Sequence, residues 1–184
     1  SSLLHAIGAI PNFTDINKSY IYKFKKMKSK KLKLGIIGGG PNSWIGHVHR
    51  IASRFDGHYE ICAGVFSRNK KKSRKFAQSL GISSDRCYGT FKEMGSSEKK
   101  RKDGIHVVAV MTPPGSHQLI SEYFIKKNIH VISDKPFAGN LNQAKKLYKT
   151  IVRNKKIIYG LTHNYSAYPM VRYAKKIVDE KKIG

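Results

Sequence analysis

A doubly wound α/β domain, in which helices cover both faces of a parallel sheet, is the fold this sequence predicts. Three observations predict it. From residue 32 onward, strand-length apolar runs alternate with helix-length segments. One run, IHVVAVM at 105–111, is nearly continuous in apolar residues, as a strand covered on both faces must be. The first run passes through three glycines directly into a helical pattern, LKLGIIGGGPNSWIG at 32–46.

Strands are predicted at 32–37, 59–66, 105–111, 129–133 and 156–160, and helices at 44–55, 70–80, 90–100, 116–127 and 140–153. Strand–helix alternation implies right-handed crossovers and hence a parallel sheet. In the 140–153 segment Asn140 suits an N-cap, and Leu141, Ala144, Leu147, Tyr148 and Ile151 share one stripe. A last helix, 168–181, begins at Pro169, a good first-turn residue, and carries Val171, Ala174, Ile177 and Val178 on one face. Residues 1–30 have no sustained period and end in a basic run around Met27, so they read as a disordered leader or non-native extension. The chain begins without Met and stops at Gly184, which reads as a fragment. The expected organisation is a leader at 1–30, a domain at 31–161, and at 162–184 a first helix leading into another domain.

At 184 residues and 40% hydrophobic, the chain can bury one full core. No apolar run is long enough to span a membrane, and the mildly apolar residues 3–10 lack the flanks of a signal peptide. Cys62 and Cys87 have no metal-ligand spacing and are expected as reduced, buried thiols of a cytoplasmic protein. The formal charge of +25 raises the possibility of nucleic-acid binding. However, only 8 of the 36 basic residues are Arg, and the lysines are scattered along the chain. Readers of phosphates and bases lean on the Arg fork, so a specific nucleic-acid surface is not expected. No cluster of Cys or His suggests a metal; His47 and His49, two apart on a helix, point to different faces.

In a doubly wound sheet, ligands bind at the carboxyl ends of the strands. A strand, a glycine turn and a helix start together suit a dinucleotide pyrophosphate. Glycines let the backbone approach the phosphates, and the helix offers free N–H groups and its positive dipole end. Gly38 and Gly40 are the first two fingerprint positions of such a Rossmann-type loop, Ser43 stands third by spacing, and Gly46 follows three residues later. After the second strand comes SRNKKK (67–72), with no Asp or Glu to take the ribose hydroxyls of NAD. Ser67 and Arg68 can instead hold the 2′-phosphate of NADP, so NADP is slightly favoured over NAD. After the third strand comes TPPGSH (112–117), a rigid loop in which Thr112 and Pro113 would lie near the ribose and nicotinamide. His117 either touches ligand or is satisfied by local backbone. After the fourth comes SDKPF (133–137).

The order of glycine loop, T-P-x-x-x-H, (E/D)-K-P and an N-Y-x-x-x-P helix start resembles the Gfo/Idh/MocA family of NAD(P)-dependent sugar and polyol oxidoreductases. The resemblance covers about residues 32–184, and the segments at 38–50 and 160–172 are similar to one subgroup. It implies that Lys135, framed by Asp134 and Pro136, lies beside the nicotinamide and hydrogen-bonds the substrate hydroxyl that is oxidised. Pro136 is a candidate for a cis peptide. His163, Asn164 and Tyr165 are candidate substrate residues, with His163 expected to be buried or supporting. The chain departs from the family at Pro114, where Asn is common, at Ser166, where Arg is common, and at Asp134, which replaces Glu. The resemblance also implies a second, α+β domain missing from this chain. That domain would supply an Asp/His pair for proton transfer, much of the substrate pocket and a homo-oligomer interface. The chain alone is then expected to bind cofactor and turn over poorly. A non-catalytic Rossmann module, sensing NAD(P) or acting as a scaffold, is the alternative.

Overall fold

The computed structural model describes residues 30–183, so the reading of residues 1–30 as a leader falls almost wholly outside it. Two compact units result, Lys31–Leu161 and one holding Thr162–Gly184. The first contains β1 (Leu32–Gly38), α1 (Trp44–Phe55), β2 (Tyr59–Val65), α2 (Lys70–Ser79), α3 (Phe91–Lys100), β3 (Val107–Met111), α4 (His117–Ile125), β4 (His130–Asp134) and α5 (Leu141–Arg153). β5 (Tyr159–Thr162) ends at the boundary between the units, and α6 (Pro169–Asp179) lies in the second. The sheet order is β2-β1-β3-β4-β5, and β1 pairs in parallel with β2 and β3, as β3 does with β4. The order reverses at β1, so the crevice at the carboxyl ends of β1 and β3 is the topological switch point.

Local chemistry explains the element boundaries. Asn69, Thr90 and Asn140 each cap a helix by accepting a backbone N–H, from Lys72, Glu93 and Gln143 respectively. The third strand starts two residues later than predicted, because the Ile105 N–H is taken by the Glu98 carboxylate. The fifth starts three residues later, because Ile157 closes a turn onto the Asn154 carbonyl.

Two hydrophobic clusters cover the two faces of the sheet. One gathers Val108, Val110, Phe124, Ile125, Val131 and Leu147; the other gathers Leu34, Ile36, Phe66, Ala77, Val107 and Ala109. Every residue of β3 is buried, as its continuous apolar run predicts. The predicted stripe on α5 divides: Leu147 is fully buried, but Leu141 and Tyr148 stand outside. α1 buries a face that is not its most apolar one. Its buried face is Gly46, Arg50 and Ser53, while Trp44, Ile51 and Phe55 are exposed. The helix lies so close to the glycine loop that only small residues and one folded-in Arg fit beneath it.

Cys62 is buried, and burial chiefly pushes its thiol up to about 11. Cys87, expected to be buried, is only half-buried, because its sulfur sits at the sheet edge beside the Ser73 hydroxyl. No helix among the described residues is long and apolar enough to cross a membrane, and none of their His, Cys, Asp and Glu side chains form a group of three able to hold a metal.

Candidate cofactor-binding site

The loop after β1 is shaped by close approach. Gly38 has φ +83°, and a Cβ there would collide with the Met111 carbonyl of β3. A Cβ on Gly40 would come within 2.6 Å of the Phe66 carbonyl at the end of β2. Glycine at these two positions therefore seats the loop over both neighbouring strands. Ser43 does not take the third glycine's role. It caps α1, its Oγ accepting the Gly46 N–H at 3.0 Å, which leaves its own proton available to an incoming anion. The packing role falls to Gly46, where a Cβ would come within 2.5 Å of the Gly39 Cα. The longer loop moves the close helix–loop contact three residues along.

At the end of β2, the half-buried Ser67 accepts the Asn69 N–H at 3.1 Å through its Oγ, and Arg68 is exposed. At the end of β3, Thr112 Oγ1 accepts from Ser116 Oγ at 2.8 Å, and the Pro113 carbonyl accepts the Ser116 N–H at 3.0 Å. These bonds shape the turn at Pro114–Ser116, while Pro113 itself is exposed. At the end of β4, Lys135 and Pro136 are exposed and joined by a cis peptide bond. Asp134 is half-buried, with the His49 ring nitrogen of α1 3.8 Å from its carboxylate.

His117 does not present its ring to a ligand. It is 1% exposed, with Nδ1 2.8 Å from the Pro136 carbonyl and Nε2 2.6 Å from the Thr112 carbonyl. Both partners are acceptors; a neutral imidazole has one N–H and serves one of them, whereas a doubly protonated ring serves both. His117 therefore ties the β3 loop to the Lys135–Pro136 turn. Gln143 of α5 adds a second tie, donating to the Gly115 carbonyl at 3.3 Å and accepting the Gly139 N–H at 3.0 Å.

In the second unit, His163, Asn164 and Tyr165 form part of an exposed turn closed by Ser166 Oγ donating to the His163 carbonyl at 2.7 Å. His163 is thus exposed rather than buried, because the turn uses its carbonyl and leaves its ring outside.

Sequence reading placed Gly46 in the loop without its packing role, and missed Arg50, His49 and Gln143 as parts of this site. The available signal was spacing: Gly46, Arg50 and Ser53 repeat at i, i+4 and i+7, a helix face of its own.

Four loops converge at the carboxyl ends of adjacent parallel strands, and the first holds a glycine cradle that side chains would fill. This is the geometry of a dinucleotide-binding Rossmann domain. The chain belongs to the Gfo/Idh/MocA oxidoreductase family, whose NAD-binding Rossmann fold model matches residues 32–163. It is 31% identical to the oxidoreductase YfiI of Bacillus subtilis, over 87% of this chain and 41% of that protein. A solved oxidoreductase from Sinorhizobium meliloti superposes with a TM-score of 0.75 at 44% identity, covering 85% of this chain and 43% of that one. An inositol dehydrogenase homolog from Azotobacter vinelandii, solved with NADH and myo-inositol, superposes at 0.78 with 29% identity, over 85% of this chain and 41% of that one. The chain thus spans about two fifths of the length of these relatives.

Proposed function

We propose that this chain is the cofactor-binding portion of an oxidoreductase that moves a hydride between a carbon of a polyol or sugar and the nicotinamide of NAD(P). The observation that carries the reading is the convergence of the glycine cradle, the Thr112 loop and the Lys135 turn, linked through His117. The bound dinucleotide supplies the hydride acceptor or donor; the chain's own residues do the rest. Gly38, Gly40 and the Ser43 hydroxyl hold the pyrophosphate at the start of α1. The exposed Lys135 ammonium donates a hydrogen bond to the reacting hydroxyl and stabilises negative charge as it develops on that oxygen. Asp134 and Pro136 set the direction of Lys135, and Thr112 and Pro113 border the ribose. The Azotobacter homolog's ligands support both the cofactor and the polyol class. An acid/base for the hydroxyl proton belongs to a second domain of the full-length protein, so this chain alone binds cofactor and turns over poorly.

Removing the ammonium in the full-length protein, by Lys135→Met, is expected to lower kcat about 100-fold or more with dinucleotide affinity nearly unchanged. Unchanged turnover would favour a sensing or scaffold module instead.

The absence of Asp or Glu at the end of β2, with Ser67 and the exposed Arg68 there, supports a preference for NADPH. Titration by nicotinamide fluorescence is expected to show NADPH binding more tightly than NADH, and Arg68→Ala erasing about tenfold of NADPH affinity alone. Tighter NADH would keep the enzyme class and remove the 2′-phosphate role.

A further inference from the structure

Arg50 is a buried charge that the proposed chemistry leaves unused and that, among the described residues, has no carboxylate partner. It is 7% exposed, and its Nη1 donates to the Gly39 carbonyl at 2.6 Å. Its guanidinium carbon lies 5.0 Å from the centre of the Phe76 ring. Among the described residues no carboxylate pairs with it, and its charged neighbour is another cation, Arg54. Burial first, and Arg54 second, hold its ionisation below the usual arginine range. Buried cations are ordinarily paired with anions. Here the compensation within the protein is one carbonyl dipole and one aromatic face.

The carbonyl in question belongs to the dinucleotide cradle. In a trans peptide the C=O and the following N–H point in opposite directions. Fixing the Gly39 carbonyl inward on Arg50 therefore turns the Gly40 N–H outward. That N–H makes no hydrogen bond to a described protein group. A charge-assisted bond on the carbonyl side also strengthens the N–H on the other side as a donor.

We propose that Arg50 is a positioning residue for the dinucleotide phosphates, aiming the Gly40 N–H at the pyrophosphate and supplying the buried positive charge behind it. The proposal rests on the cofactor reading above. It distinguishes a phosphate-directed role from mere support of α1, because only the former weakens every ligand that carries the pyrophosphate and depends on charge.

The test titrates the full chain and its Arg50→Met and Arg50→Lys variants with NADH and with ADP-ribose at several salt concentrations, with circular dichroism and Tm recorded for each. Wild type is expected to bind both ligands. Arg50→Met should lose about tenfold or more toward both equally, with a shallower dependence of Kd on salt. Arg50→Lys, which keeps the charge and loses the fork, should lose less and keep the wild-type salt slope. Wild-type affinity in Arg50→Met overturns the proposal, as do equal losses in both variants with unchanged salt slopes. Should Arg50→Met fail to fold, Arg50→Lys decides: a few-fold loss toward both ligands supports the proposal, and wild-type affinity overturns it. A folded wild type that binds neither ligand overturns the cofactor reading itself and this proposal with it.

Discussion

Glu98→Ala is expected to cost about 3–5 kcal/mol of stability, the range for removing one partner of a buried ion pair. The Glu98 carboxylate is 2% exposed and saturated. Oε1 accepts from Arg86 Nε at 3.0 Å and from the Tyr88 hydroxyl at 2.8 Å. Oε2 accepts from Arg86 Nη2 at 2.5 Å and from the Ile105 N–H at 3.1 Å. Removing it leaves a guanidinium, a phenol and a backbone N–H buried without that acceptor. Among the described residues only Asp103 then remains to Arg86, through its half-exposed carboxylate at 3.1 Å and its carbonyl at 3.3 Å. In thermal unfolding the variant should melt about 10–20 °C below wild type. Tyr88→Phe removes one donor and leaves the acceptor well served, so it should cost only about 1 kcal/mol. A Glu98→Ala variant as stable as Tyr88→Phe would show that the pair is not buried in solution. The network joins α3 to the start of the β3 run, so its loss should be felt as global unfolding rather than local loosening.

His117→Ala is expected to be the next largest effect, about 3 kcal/mol, from a cavity in the core and two carbonyls, Thr112 and Pro136, that lose their ring partner. Unlike the Glu98 change it should also act on the site. The β3 loop and the Lys135 turn lose their shared anchor, so NADH affinity should fall together with stability, measured by nicotinamide fluorescence and Tm. His117→Phe fills the volume without donors and separates the two causes: stability partly returns while affinity does not. Full NADH affinity in a destabilised His117→Ala would mean that the loops hold their places without it.

Most of the sheet and the loops at its carboxyl ends were legible in the sequence, because both follow from local rules. A strand-length continuous apolar run between turn signals fits a covered strand, a glycine cluster between strand and helix fits a close approach, and Asn140 caps a helix wherever that helix packs. The roles of individual side chains were less legible. Arg50 read as one more basic residue among many, and nothing local says that it folds inward beneath a glycine loop. His117 had two equal readings, a ligand contact or a partner for backbone. The structure resolves them because Pro136, nineteen positions along, brings its carbonyl to the ring.

The sequence by itself determined the order of elements, the parallel sheet and the four loops that meet at its edge. These depend on periodicity and turn chemistry, which act over a few residues. The tertiary structure alone decided which face of α1 is buried, which glycine packs against the loop and what holds the Lys135 turn. Each of these depends on a tertiary contact, Gly39 with Gly46 and Arg50 where α1 folds back on the loop and His117 with Pro136 between two strand ends, and close packing there overrides the local apolar pattern. Trp44 and Phe55 outside and Arg50 inside are the clearest case: proximity to Gly39 selects what fits, and hydrophobicity does not.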